Sequence, residues 1–102
     1  MSKGYWIARS HIIDPVAYGE YALRAGEAAN KLFNGARVLA RGGRSISLEG
    51  TAAFERQVLI EFPDFEAALA FHASPEYQAA AAIRLAGAGI NELVIVEGID
   101  AP

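Results

Sequence analysis

Short apolar runs alternate along this chain with two longer stretches of helical period, and the punctuation between them is sharp. "YWIARSHII" (Tyr5 to Ile13) is rich in β-branched and aromatic residues, holds no Gly or Pro and has the length of a strand. Asp14-Pro15 follows, pairing an N-cap carboxylate with a proline at the first helical position, where no amide proton is needed. The predicted helix runs to about Phe33 with Val16, Tyr18, Ala22, Ala25, Ala29, Leu32 and Phe33 as its apolar stripe. Asn34-Gly35 is the expected left-handed C-cap.

"ARVLARGG" (Ala36 to Gly43) and "FERQVLIEF" (Phe54 to Phe62) read as an antiparallel hairpin. Pro63-Asp64 opens a second helix with Phe65, Ala68, Leu69 and Phe71 inward. Ser74-Pro75 then restarts it as far as about Ala86, so this crossover is a broken helix. Gly87 and Gly89 close it, and "ELVIVEGI" (Glu92 to Ile99) is the last strand.

Strand, helix, strand, strand, helix, strand is the α+β, ferredoxin-like βαββαβ order: one antiparallel sheet with its helices on one face. Residues 1–102 are expected to form a single such domain. Alternation along the strands places Val38 and Ala40 opposite in direction to Leu39, Val58 and Ile60 opposite to Leu59, and Leu93 and Ile95 opposite to Val94 and Val96. Both faces are therefore apolar. Two helices cover only one, and the other is expected to pack against a second copy of the chain, making a homodimer.

Composition narrows the partners. A net charge of −3 lacks the basic background that phosphate binding needs, so no nucleic acid is expected. No run reaches membrane-spanning length and the first residues lack the pattern of a signal peptide, so a cytoplasmic, membrane-free protein is expected. The absence of cysteine removes disulfides, thiolate nucleophiles and sulfur-based zinc sites. Seven of the nine basic residues are arginine, whose planar fork suits carboxylate or phosphate, which leaves room for a small organic or anionic ligand.

Candidate chemistry is sparse. Arg41-Gly42-Gly43-Arg44 leads from strand toward strand, so it lacks the helix N-terminus of a phosphate cradle and reads first as a turn whose glycines take positive φ. Arg41 sits where it could bond Glu49 or a ligand. His11 and His72 have no metal-ligand spacing, no serine lies in a nucleophile elbow, and Ser10 reads as strand-bound, so neither a metal nor another cofactor is expected. The candidate ligand-binding set is Tyr18, Tyr21, Arg41, Arg56, Glu61, His72, Tyr77 and Arg84, gathered in a crevice between helices and sheet. The plainer reading is a network in which Arg56 or Arg84 holds Glu61 or Glu97.

"YWIARSHIIDPVAYGEY", "RGG" followed by "LEG", "RQVLIEFPDFEAALAF", "SPEYQAAAAIR" and "IVEG" resemble, in order and over nearly the whole chain, the family called domain of unknown function 1330. Asp14, Tyr18, Tyr21, Arg41, Gly42, Gly43, Glu49, Gly50, Pro63, Tyr77, Arg84 and Glu97-Gly98 fit its pattern. Ala36, His72 and Asn91 depart from it, standing where a glycine, an aromatic hydroxyl and an aspartate are usual. The resemblance implies a dimeric α/β-barrel whose chemistry is unsettled, and it assigns no catalytic residue. Two readings stand. One is a cofactor-independent enzyme of oxygenase or isomerase type, with Arg41 or Arg84 polarising an oxyanion and His72 or Tyr77 moving a proton. The other is a non-catalytic binding or accessory dimer without turnover.

Overall fold

A computed structural model describes residues 2–32 and 36–99. Four strands form one antiparallel sheet in the order β2-β3-β1-β4, with β1 at Gly4–Ile12, β2 at Arg37–Arg41, β3 at Arg56–Phe62 and β4 at Gly89–Glu97. Helices α1 (Pro15–Leu32), α2 (Phe65–Ala73) and α3 (Pro75–Ile83) lie on one face. This is the α+β, ferredoxin-like fold the element order predicts. The molecule is 18 Å thin across its shortest axis, about the depth of two packed layers.

The caps work as their residues dictate. Asp14 Oδ1 accepts the amides of Val16 and Ala17 at 3.1 and 3.2 Å, and Asp64 Oδ1 accepts that of Ala67 at 2.7 Å. Ser74 serves two helices: its hydroxyl donates to the Phe71 carbonyl at the end of α2 and accepts the Tyr77 amide at the start of α3. Beyond Ile83 the chain widens into a π-type turn over Arg84–Ala88, closed by Gly87 at φ 120°. The Ala88 carbonyl then accepts the amides of Ile13 and Asp14, tying the entry of β4 to the exit of β1.

Trp6, Ala8 and Ser10 of β1 face the helices and are buried. Trp6 centres the core, with ring centroids 5.0 Å from Tyr77, 5.3 Å from Phe71 and 6.2 Å from Phe62. Gly4 lets the strand pass α2, since a Cβ there would collide with the Asp64 carbonyl.

Several boundaries differ from the sequence expectation. Val16 is 86% exposed and Leu69 46%, so neither belongs to an inward stripe. Asn34-Gly35 and Phe33 lie outside the described residues. β2 and β3 pair antiparallel as expected, but β2 ends at Arg41 and β3 begins at Arg56, so the loop between them is longer than the strand bounds predict, over residues 42–55. In it Gly42 and Gly50 take positive φ while Gly43 does not. β4 starts at Gly89 rather than Glu92, because pairing with His11 and Ile12 extends it backward.

The largest correction is in β2. Val38 pairs with Ile60, but Ala40 pairs with Leu59 and Arg41 with Val58, so Leu39 is an extra residue in a β-bulge. Simple alternation puts Val38 and Ala40 on one face. The bulge instead leaves Val38 facing the helices, sends Ala40 outward and turns Arg41 back toward the helix side.

Candidate ligand-binding crevice

On its sheet-facing side α1 carries Ala22, Ala25, Gly26 and Ala29 above β2 and β3. These side chains are too short to close on Val38, Val58 and Ile60, and a crevice of about 140 Å³ remains between the layers. Trp6, Phe71, Tyr21 and Tyr77 give it aromatic walls, while Arg41 and Arg56 supply its cations.

Each cation is placed by its neighbours. Arg56, half-buried, lies with its guanidinium carbon 5.6 Å from the centre of the Tyr18 ring. On its other side is Gly42, where a Cβ would stand 3.4 Å from Arg56 Nε and where φ is +64°. The Gly42 amide donates to the Gln57 carbonyl at 2.9 Å, carrying β2–β3 pairing one residue past the strand. Tyr18 is itself held: its hydroxyl and Ser10 Oγ are 2.5 Å apart in the core, and Gly89 allows its ring to lie against β4. Arg84 lies 5.3 Å over the Tyr21 ring, and its Nε is buried without a hydrogen-bond partner.

Tyr18 and Tyr21 are neutral at physiological pH. Burial first, and then the neighbouring Tyr77 hydroxyl, push the Tyr21 phenol well above the ordinary tyrosine value, with Arg84 opposing. Burial also raises Tyr18, against the Ser10 hydrogen bond. The Tyr21 and Tyr77 hydroxyls are 3.1 Å apart. Such groups serve as hydrogen-bond donors to an oxyanion, not as phenolate bases.

Tyr21, Arg41, Arg56 and Tyr77 thus line the crevice, while Tyr18 lies against Arg56 and Arg84 over Tyr21 outside the lining. The other two expected residues stand apart from this group. Glu61 alternates to the opposite face of β3, where it accepts the Tyr5 hydroxyl at 3.3 Å, and its odd spacing from Arg56 makes that unavoidable. His72 is exposed and stacks on the rims of Trp6 and Tyr77, at 5.9 and 5.4 Å, beside the crevice rather than in its lining. The expected network of Arg56 or Arg84 with Glu61 or Glu97 does not form; the ion pairs among the described residues are Arg9–Glu92, His11–Glu55 and Arg24–Glu20. Arg41 likewise makes no ion pair with Glu49. Ser10 and Trp6 were absent from the sequence candidates, although Trp6, Ala8 and Ser10 fall at inward alternate positions, and a serine in such a row signals a buried polar contact.

A second, more open cleft of about 500 Å³ lies on the outer sheet face beneath the loop 42–55, lined by Arg9, Ala40, Phe54 and Gln57 among others. Arg41 reaches both spaces. The outer face around it carries Ile7, Leu59, Val94 and Val96, with Val94 57% exposed. No cluster of His, Cys, Asp and Glu suited to a metal ion occurs among the described residues, nor is any helix among them long and apolar enough to cross a membrane.

Sheet order, one-sided helices and an arginine- and tyrosine-lined gap between the layers define an α+β protein of ferredoxin-like fold with an interlayer crevice. The chain belongs to the family described as domain of unknown function (DUF1330), whose model matches residues 3–99. A protein of unknown function from Rhodopseudomonas palustris superposes with a TM-score of 0.72 at 18% identity, over 98% of this chain and 85% of that one. SnoaB, a cofactor-independent oxygenase from Streptomyces nogalater, gives 0.68 at 12% identity, over 99% and 97%. A dimeric ferredoxin-like protein of unknown function from Jannaschia sp. CCS1 gives 0.65 at 15% identity, over 97% and 99%. At these identities the likeness is one of fold. No curated protein matches the chain.

Proposed function

We propose that the protein is a homodimer, each subunit of which binds a small organic anion in the crevice between α1 and the sheet. One observation carries the reading: Arg41 and Arg56 line an aromatic crevice, with Arg84 over the ring of its Tyr21, and no carboxylate among the described residues is within ion-pair distance of any of the three. A half-buried guanidinium without a counter-ion is costly, and a ligand carboxylate or enolate removes that cost. The dimer rests on the outer face, where a strip of Ile7, Leu59, Val94 and Val96 faces water in a slab two layers thick.

Catalysis of the cofactor-independent oxygenase or isomerase type is the second reading, favoured by the fold shared with SnoaB. Its oxyanion half is well supplied by arginines and neutral tyrosine hydroxyls. Its proton-transfer half is weaker, since His72 stands beside the crevice.

Native mass spectrometry tests the proposal directly. A dimer carrying an additional small mass, lost in Arg56→Ala, is the expected result. A bare dimer that neither retains nor takes up small carboxylates removes the binding site and leaves the assembly, whereas a monomer at micromolar concentration removes the assembly. Val94→Glu should turn the dimer into monomer by burying a charge in the contact.

A further inference from the structure

We infer that the ligand of the crevice is a planar, single-ring carboxylate, held by its anion on Arg41 and Arg56 with its ring between α1 and the sheet. This inference rests on the small-anion reading above and narrows it by shape, size and charge.

Shape follows from how the space arises. One wall is the small-residue side of α1, Ala22, Ala25, Gly26 and Ala29, and the other is the aliphatic surface of β2 and β3. Shortening side chains along a whole helix face opens a slot between two layers rather than a round hole. An unsaturated ring fills such a slot because it is one atom thick and needs only about 3.5–4.0 Å to the atoms on either side. A puckered saturated ring of the same carbon count is thicker. Trp6, Phe71 and Tyr77 add aromatic surfaces, against which a ring packs edge-on or offset.

Size sets the upper limit. An apolar cavity of about 150 Å³ accommodates benzene, and this crevice measures about 140 Å³. A fused bicyclic system exceeds it.

Charge fixes the orientation. Arg41 and Arg56 lack carboxylate partners, and their planar forks match a carboxylate better than a spherical anion. The other polar groups of the lining are the exposed Asn30 and the buried Tyr21–Tyr77 hydroxyl pair. Two hydroxyls sharing one hydrogen bond leave one O–H proton free to donate, so this pair suits a neutral acceptor on the ring, such as a phenol or carbonyl oxygen, and not a second carboxylate.

Trp6 is the single tryptophan and lines the crevice, so its emission reports occupancy in the unmodified protein. Titration with benzoate, cyclohexanecarboxylate, naphthoate and acetate, each against wild type and Arg56→Ala, separates the possibilities. Benzoate is expected to bind at least about tenfold more tightly than the other three, a gap of about 1.4 kcal/mol, and to lose that affinity in Arg56→Ala. If all four bind alike, or if cyclohexanecarboxylate or naphthoate binds best, the planar single-ring assignment is overturned while the small-anion reading survives. If none perturbs Trp6 and Arg56→Ala changes nothing, the small-anion reading falls as well.

Discussion

Beneath α2 and α3 the interlayer space is filled by Phe71, Tyr77, Ala68 and Ala80, none more than 1% exposed, with Trp6 rising from β1 to meet them. Beneath α1 the same sheet meets Ala22, Ala25, Gly26 and Ala29, and a crevice is left. The two halves repeat one strand–helix–strand plan, yet α2 and α3 set large aromatic residues against the sheet, whereas α1 carries its two tyrosines in its first half and only small residues over β2 and β3. Holding an unfilled space open requires a rigid neighbour. The packed half is that neighbour, since Tyr77 and Phe71 belong to the core and also wall the crevice.

Phe71→Ala should produce the largest effect, about 3–5 kcal/mol of lost stability in a urea melt, because a fully buried ring leaves a cavity that close-packed neighbours cannot refill. A loss below about 1 kcal/mol would erase the contrast between the halves. Ala25→Leu tests the open half and should act in opposite directions on two readouts. It buries added methylenes at about 0.8 kcal/mol each, raising the melting temperature, while it cuts benzoate affinity at least tenfold. A lowered melting temperature with binding intact would mean that α1 already touches the sheet.

Within the α1 half lies the Ser10–Tyr18 contact, which ties the helix to β1. Ser10→Ala and Tyr18→Phe should each cost about 1–2 kcal/mol, with the double variant no worse than the worse single one, because both remove the same hydrogen bond. Both should also weaken anion binding several-fold, since the Tyr18 ring supports Arg56. Additive stability losses with unchanged binding would make the contact purely structural.

The smallest effect appears only at alkaline pH. The Tyr21 phenol is raised in the folded protein, so its neutral form is favoured there, and the associated stability is complete below the ordinary tyrosine pKa near 10 and is lost as pH rises through the folded value. Ultraviolet titration should show Tyr21 ionising late or only on unfolding, and Tyr21→Phe should flatten the alkaline decline in stability. An early ionisation would place Tyr21 in contact with water and open the packed side of the crevice.

Much of this was legible in the chain. Asp14-Pro15, Pro63-Asp64 and Ser74-Pro75 start helices because a cap and a proline act within a few residues, and strand identity followed from composition and length. Tyr21, Arg56 and Tyr77 line the crevice, with Tyr18 and Arg84 against them, for the same reason: helix period and strand alternation assign a face before any long-range contact forms. Glu61 was misplaced although its parity with Arg56 already assigned it outward. Arg41 was different. Alternation along β2 has no means of showing the extra residue at Leu39, because a bulge is a property of the pair of strands and not of either alone.

Local signals therefore determined the order of elements, their caps, the two-sided apolar strands and the supply of arginines and tyrosines, all of which depend on neighbours a few residues apart. Tertiary structure alone decided that Leu39 bulges, that Ser10 clamps Tyr18, that Arg84 settles on Tyr21 instead of a carboxylate, and that the alanine face of α1 leaves a gap. Each of those outcomes turns on a distance between segments remote in the chain, and such distances are set only when the layers pack.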